Sequence, residues 1–448
     1  MIIIIDKSIR NTIIRTAFPA MAEMMLYMLI GVVDIAVVGR LGAAPLAAVS
    51  LGAEIFFAVV LLLESLGIGA SILVAQAQGA GQLDNANKIA GQTFILALLV
   101  GTMFGTLGLL YDRQLVNIFQ VEPLVYDQVL GYLNIVFWIT PLALGYYMIN
   151  TLYRGLGRTE IPMFIAILVN IINCFGNYTL VYGKFGLPPM GVAGAAVATS
   201  IAHVIGFLIA CYILFSGRAG LKAGFLDITR IRLFWQKQIL KLGLPSLGEQ
   251  LFFTISNLVS TFLIVSLGTA SFASHQVALT VESLSFMPGY GVAIAATSLV
   301  GRSIGAKNKE TLSRVSRGSI EVALIIMGML GVLFAALPQV IASLFTRDMV
   351  IIQTAGILIR IASLEQLTMA LSMVLSGILK GAGDTRSPMF ISTFATWVYR
   401  LPLMYLFIRI LHLPIQYIWL LFVSDWALRT IAYLIIYNRR KWYRNALT

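Results

Sequence analysis

The chain carries one sequence unit twice, at a constant spacing of 226 residues. The segment YRGLGRTEIPMFI at Tyr153–Ile165 returns as LKGAGDTRSPMFI at Leu379–Ile391, with seven of thirteen positions identical. The same spacing joins residues far from this motif: Pro19 and Pro245, Glu23 and Glu249, Gly79 and Gly305, Leu187 and Leu413. Repetition in one register implies that the fold is two copies of a single structural unit.

Composition places that unit in a membrane. Hydrophobic residues make up 59% of the 448 residues and charged residues only 11%, whereas soluble chains have about 25% charged residues. Mostly apolar stretches long enough to cross a bilayer recur along the chain. We predict twelve spans, at about residues 12–38, 48–75, 90–111, 126–153, 160–182, 189–215, 239–267, 275–300, 317–345, 352–378, 388–411 and 414–437.

Each repeat therefore holds six spans, and an even number returns the chain to the side from which it started. The two halves then share one orientation and are related by a pseudo-twofold axis along the membrane normal. Long continuous apolar segments without alternation predict helices and not barrel strands. We expect an all-α polytopic membrane protein with two six-helix bundles, residues 1–215 and 239–448, joined by a cytoplasmic linker at 216–238.

The net charge of +12 is distributed unevenly between the predicted loops. Basic clusters occur at Arg218–Lys241, Arg302–Arg317 and Arg439–Arg444, all on one side of the membrane. An excess of Lys and Arg marks cytoplasmic loops, so both termini are predicted to be cytoplasmic. Such segments favour contact with anionic lipid over nucleic acid. The stretch IRLFWQKQILK at Ile231–Lys241 predicts a short helix lying at the membrane interface.

Signatures of enzymes and of bound cofactors are missing from the sequence. The two cysteines, Cys174 and Cys211, lie in predicted spans and form no disulfide framework or CxxC metal site. The three histidines have no metal-ligand spacing, and neither a phosphate-binding GxxxxGK[ST] loop nor a GxSxG elbow is present. We therefore expect no enzymatic activity, no cofactor and no metal site built from these residue types.

Asp34 lies late in the first span, with no basic residue within the preceding helical turn. A charge at the bilayer centre costs at least roughly 2.5–3.5 kcal/mol on insertion scales, which makes such a residue a functional candidate. An unpaired carboxylate there can bind a proton or Na⁺. The alternative is an aspartate that caps the helix end or faces water. Its repeat mate is Ser260, so this acid belongs to one half only.

Asn173 and Asn177 lie four residues apart on one face of the fifth span, with Asn170 one turn earlier. Amide oxygens on one helical face suit cation coordination or a hydrogen bond to a protonated carboxyl. The alternative is ordinary contact between helices, where such hydrogen bonds contribute about 0.6 kcal/mol each.

Three acids of the second half, Glu249, Glu365 and Glu282, are candidates for lining a cavity. Glu249 repeats Glu23, so duplication alone also explains it. Glu282 precedes a proline and two glycines, which can bend its helix. Glu64 is a further buried acid for which the sequence indicates no partner.

The last two spans contain Arg400, Asp425 and Arg429. Asp425 and Arg429 are four residues apart and can pair on one helix, and Arg400 can join them from the neighbouring span. We interpret these three residues as a structural ion-pair cluster.

Together these features resemble the multidrug and toxic compound extrusion (MATE) family, of a prokaryotic type. The resemblance covers essentially the whole chain. It rests on the two six-span halves, VVGRLGAAPLAA after the first span, NCFGNYTLVYG in the fifth, and RGLGRTEIPM and KGAGDTRSPM after spans four and ten.

The resemblance implies a secondary antiporter in a bacterial or archaeal plasma membrane. Such proteins export amphiphilic, often cationic, compounds while H⁺ or Na⁺ flows inward, and their two halves alternate between outward-open and inward-open states. The family's first-span acid falls on Asp34 and its span-five polar pair on Asn173 and Asn177. In span ten, members of the family carry a tyrosine and, one turn later, an acid. This chain has Glu365 at the tyrosine position and Met369 at the acid position, so the resemblance does not decide between H⁺ and Na⁺ as the coupling ion.

Two other functions remain to be considered. Flippases of lipid-linked oligosaccharides share this fold but carry a strongly cationic cavity, whereas here intramembrane acids outnumber intramembrane Lys and Arg. A membrane-embedded enzyme needs clustered His, Ser or metal ligands, which the sequence lacks. The expected partners are small organic cations and membrane lipids, with no nucleic acid, and we expect a monomer.

Overall fold

The computed structural model of the chain describes residues 7–439, and regular structure within that range is entirely helical. The predicted cytoplasmic termini and the basic segment Arg439–Arg444, apart from Arg439, lie outside the described residues. The helices up to the linker are α1 Lys7–Val38, α2 Ala43–Glu64, α3 Leu66–Gly79, α4 Leu83–Asn117, α5 Pro123–Trp138, α6 Thr140–Gly155, α7 Glu160–Tyr182 and α8 Gly191–Ser216. The later ones are α9 Phe225–Thr229, α10 Leu233–Val265, α11 Thr269–Gly305, α12 Lys309–Ala336, α13 Pro338–Ser343, α14 Met349–Gly381, α15 Arg386–Phe394, α16 Leu401–Tyr405 and α17 Ile415–Asn438.

Twelve candidate membrane spans confirm the predicted all-α polytopic fold. Eleven helical segments are long and apolar enough to cross a bilayer, and α2 with α3 form one of them, Ala43–Gly79. The twelfth is the pair α5 and α6, bent by 57°. Pro141 lies in the first turn of α6, where its missing N–H cannot continue the hydrogen bonds of α5.

The described chain divides into two compact units. The first, here called the N unit, consists of residues 22–78 and 82–244. The other, the C unit, consists of the described parts of residues 1–21 and 245–448, with residues 79–81. Helices α1 and α10 contribute to both units, and the division falls within two residues of the repeat mates Pro19 and Pro245.

The predicted interfacial helix at Ile231–Lys241 is not a separate element. Instead, α9 covers only Phe225–Thr229, and α10 already begins at Leu233. The stretch therefore forms the first turns of a long membrane helix. Similarly, α11 continues through Pro288 as a single helix, so the proline and glycines that follow Glu282 do not break it.

The repeated GxGxT motif has a packing reason in each unit. A Cβ atom on Gly155 would lie 2.4 Å from the Ser71 carbonyl oxygen, and one on its mate Gly381 would lie 2.5 Å from that of Thr297. Ser71 and Thr297 are themselves repeat mates. The next glycine of each motif, Gly157 or Gly383, has a positive φ of 70° or 92°, a region that favours glycine. The motif thus permits close helix packing and then ends the helix.

We expect Gly155→Ala to destabilise the protein by about 1–3 kcal/mol, since the added methyl group meets a backbone oxygen that cannot rotate away. Thermal unfolding of the purified protein measures the effect. Gly131→Ala is the matched control, because a Cβ atom there meets no other atom within 4 Å. Equal melting temperatures for the two variants would contradict this interpretation.

Candidate functional site

Asp34, near the end of α1, lies in the interior of the N unit, where its residue is only 1% exposed. Asn177 Nδ2 donates a hydrogen bond of 2.5 Å to Asp34 Oδ1, and the Thr199 hydroxyl donates one of 3.4 Å to Oδ2. No described Lys, Arg or His side chain forms an ion pair with this carboxyl group. Asp34 is therefore a buried acid held by neutral donors alone.

Helices α7 and α8 position those donors. Asn173 and Asn177 both point inward from α7, and Asn177 Nδ2 also donates to Asn173 Oδ1 at 3.1 Å. Asn173 Nδ2 in turn donates to the Thr199 hydroxyl of α8 at 3.1 Å. The predicted trio of Asp34, Asn173 and Asn177 is thus brought together, whereas Asn170 bonds the carbonyl oxygen of Ala166 in its own helix.

Sequence reasoning missed two neighbours of Asp34. Thr199 closes the ring of hydrogen bonds, and the fully buried Tyr132 of α5 lies within electrostatic reach of Asp34. Tyr132 packs so closely on Gly52 that a Cβ atom there would lie 2.6 Å from its ring. A weak signal for Thr199 exists, since it and His203 are polar residues four apart in a mostly apolar helix.

A second polar region adjoins this site through His203. The His203 Nδ1 atom lies 2.8 Å from the Thr199 carbonyl oxygen, and Nε2 lies 3.2 Å from the Tyr147 hydroxyl. The Tyr147 ring packs edge-on against Tyr27, with centroids 5.3 Å apart. Buried polar side chains thus extend from Asp34 towards Tyr27 in α1.

Tyr27 belongs to an ion cluster around Arg154 that the sequence did not indicate. The Arg154 guanidinium contacts Glu23 Oε1 and Glu64 Oε1, each at 2.8 Å. It also donates to the Tyr27 hydroxyl at 3.1 Å, and Tyr27 donates to Glu23 at 2.6 Å. Hydropathy placed Arg154 beyond the end of its span, but it lies buried within α6. Arg154 is therefore the ion-pair partner of Glu64, which the sequence did not indicate.

The corresponding pair in the C unit joins Glu249 to Lys380, with Nζ 2.9 Å from Oε2. Glu249 repeats Glu23, and Lys380 repeats Arg154. Duplication has therefore carried over an ion pair together with the helices that hold it. Glu249, predicted as a cavity acid, is found paired, with a side chain 20% exposed.

The other two predicted cavity acids lie near each other in the C unit. Glu365 of α14 is fully buried, and no described amide, hydroxyl or basic group donates a hydrogen bond to either carboxylate oxygen. Its carboxyl group lies close to that of the half-buried Glu282 in α11 and within electrostatic reach of Arg400. Two carboxyl groups so placed attract a cation or share a proton.

Beside them lie the three residues interpreted as an ion-pair cluster. Arg429 Nη2 lies 2.9 Å from Asp425 Oδ2 on α17, and Arg400 Nη1 lies 3.7 Å from the same oxygen. Arg429 also donates to the Thr396 hydroxyl at 2.6 Å. Asp425 is thus held between two guanidinium groups, which compensate its negative charge in the interior.

These sites can hold single positive charges inside a membrane protein. A lone buried carboxylate with amide and hydroxyl oxygens close by suits a proton or Na⁺, whose binding removes the net charge. Among residues 7–439 no group of three or more His, Cys, Asp and Glu side chains is placed to hold a metal ion.

Comparison with known proteins gives three consistent results. A family model described as MatE matches residues 19–179 and 245–406, two segments that begin 226 residues apart. "Probable multidrug resistance protein NorM" of Thermotoga maritima is 31% identical over 98% of this chain and 94% of its own. "Multidrug resistance protein MdtK" of Proteus mirabilis is 31% identical over 84% and 82%. A solved structure described as the outward-facing conformation of a multidrug resistance MATE family transporter has the same fold, with a TM-score of 0.88 at 24% identity, covering 98% of this chain and 97% of its own.

Proposed function

Because the chain belongs to the MATE family of multidrug efflux transporters, and not to a family of enzymes, we propose that it exports amphiphilic organic cations in exchange for H⁺ or Na⁺. The exchange is secondary antiport by alternating access, in a bacterial or archaeal inner membrane with both termini cytoplasmic. One observation supports the coupling step most directly. Asp34 is buried in the N unit without a cationic partner among the described residues, and it accepts hydrogen bonds from Asn177 and Thr199.

The coupling ion binds at Asp34. A proton or Na⁺ neutralises the buried carboxylate and stabilises the arrangement of α1, α7 and α8 in which Asn173, Asn177 and Thr199 surround it. An ion shifts a conformational equilibrium only as far as its affinity differs between the two states. Cargo that favours the other state then competes with the ion, and this competition couples the two fluxes.

Two prolines support the alternating movement. Pro19 and Pro245 lie inside α1 and α10, the helices that contribute to both compact units. A proline inside a helix removes one backbone hydrogen bond and weakens the helix at that point. We assign to these two positions the bends that the change between states requires.

The cationic group of the cargo is attracted by Glu365 and Glu282. Both belong to the C unit, and no described amide, hydroxyl or basic group donates a hydrogen bond to the Glu365 oxygens. Glu249 is the weaker candidate, because Lys380 already neutralises it.

Transport by the purified protein in proteoliposomes tests the proposal. We expect efflux of a fluorescent cationic dye under either a pH gradient or a Na⁺ gradient, imposed separately and without ATP. The gradient that drives dye transport identifies the coupling ion. Absence of transport under both gradients, with the protein folded and inserted, would refute antiport and favour the flippase function with lipid-linked cargo.

Membrane lipids bind the linker between α8 and α10 together with the first turns of α10. Five large hydrophobic side chains there are each more than half exposed: Phe225, Leu226, Ile231, Leu233 and Phe234. Exposed basic side chains surround them: Arg218, Lys222, Arg230, Lys237 and Lys241. Both neighbouring helices are candidate spans, so this segment lies at a membrane surface. Apolar and basic side chains together suit an anionic leaflet.

Gln92 of α4 holds this linker in place. Its amide nitrogen donates to the backbone oxygens of Asp227 at 3.0 Å and Arg230 at 2.8 Å, and its amide oxygen accepts from the Arg232 N–H at 2.8 Å. The exposed side chains are therefore presented in a defined arrangement.

We expect replacement of Arg230, Lys237 and Lys241 by Gln to remove most of the additional thermal stability that anionic lipid confers over zwitterionic lipid. Each Lys or Arg near an anionic surface contributes about 1 kcal/mol of attraction. Lys184→Gln with Arg347→Gln is the control, since both side chains are exposed on the side predicted to be extracellular. An unchanged lipid response in the triple variant would contradict lipid binding at the linker.

A further inference from the structure

The cluster around Arg154 contains more buried negative charge than positive charge. Two carboxyl groups, Glu23 and Glu64, share one guanidinium, and their side chains are 0% and 12% exposed. No other Lys, Arg or His among the described residues pairs with either acid. An uncompensated charge in such surroundings is costly, so the cluster favours the uptake of one positive charge.

The second copy of the repeat lacks this excess. Glu249 and Lys380 reproduce Glu23 and Arg154, but the mate of Glu64 is Tyr290. Tyr290 lies within electrostatic reach of Lys380 and carries no charge at neutral pH. In the C unit the negative charge of Glu249 is therefore balanced by the positive charge of Lys380. The additional acid is therefore a property of the N unit, which also contains Asp34.

From this asymmetry we propose that the Glu23–Glu64–Arg154 cluster is a proton-binding site, separate from Asp34, and that Glu64 carries the proton. The two acids differ in their hydrogen bonds. Glu23 accepts from Arg154 Nε at 3.1 Å, from Arg154 Nη2 at 2.8 Å and from the Tyr27 hydroxyl at 2.6 Å. Donors of this kind stabilise the ionised form. Glu64 accepts one described hydrogen bond, 2.8 Å from Arg154 Nη1, and is the acid that gains more from protonation.

Further buried polar groups lie beside the cluster. The Tyr146 hydroxyl is buried and lies within electrostatic reach of Glu23 and Arg154, with the Tyr27 hydroxyl and the Asn150 side chain next to it. Asn150 is fully buried and lies one turn before Arg154 on the same face of α6. The surroundings of the cluster are therefore polar and not purely apolar.

The charge arrangement favours H⁺ over Na⁺ as the occupant. Both carboxylates already contact the guanidinium at 2.8 Å, so a metal ion bound between them would lie a few ångströms from a like charge. A proton adds to a single oxygen and needs no such space. The titratable and charged groups that face the site are few: Glu23 and Tyr27 on α1, Glu64 on α2, and Tyr146, Tyr147 and Arg154 on α6, with His203 of α8 behind Tyr147.

Infrared difference spectroscopy of the purified full chain, between acidic and alkaline pH without Na⁺, tests the site through the carbonyl stretch of protonated carboxyl groups. We expect a band at one frequency that is lost in Glu64→Gln and persists in Asp34→Asn, beside the bands of Asp34, Glu282 and Glu365, which remain in Glu64→Gln. Glu23→Gln should remove it as well, because one remaining carboxylate then balances one guanidinium. Glu54→Gln, an exposed acid on the same helix α2, should match the wild type.

The measurement needs neither an ion gradient nor cargo, so its result does not depend on whether the protein is an antiporter. A role of this proton in transport rests on the proposed function. Retention of the band in Glu64→Gln overturns the assignment. So does its loss in Asp34→Asn alone. Removal of the band by Na⁺ at constant pH, in the Asp34→Asn protein, would show that the occupant is a metal ion and not a proton.

Discussion

Asp34→Asn is expected to reduce gradient-driven dye efflux to the level of empty liposomes while leaving the fold intact. Asparagine has nearly the same volume as aspartate, and its side-chain oxygen can still accept the 2.5 Å hydrogen bond from Asn177. It cannot take up a proton or hold Na⁺ by charge. Without an ion that binds the two conformations differently, the gradient has no means of shifting the equilibrium. Dye efflux from proteoliposomes under the driving gradient measures the loss.

Two comparisons make that result specific. Asp84→Asn changes an exposed acid in the first turn of α4 in the same way and should transport like the wild type. Dye binding to the purified Asp34→Asn protein should persist, because cargo is assigned to other residues. Wild-type efflux from a well-folded Asp34→Asn protein would eliminate Asp34 as the coupling residue.

Arg154→Met should have the largest effect on stability. Removal of the guanidinium leaves Glu23 and Glu64 buried together without a counter-charge, and breaking a buried ion pair in this way costs about 3–5 kcal/mol. We expect a strongly lowered melting temperature, or failure to accumulate in the membrane. Thermal unfolding of the purified protein, with membrane yield, measures both outcomes.

The repeat provides the matched control in the same molecule. Lys380→Met removes the equivalent cation but leaves only Glu249, whose side chain is 20% exposed, whereas Glu23 is 0% exposed. Its loss of stability should be clearly smaller. Adding Glu23→Gln to Arg154→Met should restore part of the stability, since fewer buried charges remain unpaired. Equal losses for Arg154→Met and Lys380→Met would contradict the excess of negative charge around Arg154.

Asp34 and Arg154 show why one site could be predicted and the other could not. Asp34 interrupts a long apolar segment, and a lone acid there is visible from hydropathy alone. Asn173 and Asn177 are visible too, because a spacing of four places them on one helical face. Arg154 directly follows an apolar segment, so hydropathy predicts that the span ends before it. The helix continues one residue further, and Glu23 and Glu64 from other helices make that burial favourable.

The duplication, the helical class, the twelve spans, the family and the lone acid Asp34 could all be predicted from the sequence. These follow from properties of single segments: length, hydropathy, a repeated register and helical spacing. Three features required the three-dimensional structure: Thr199 completes the contacts of Asp34, α10 begins inside the predicted linker, and Arg154 binds two acids while Lys380 binds one. Spacing shows which residues share a helix face, but which helix packs against that face depends on contacts between residues distant in the chain.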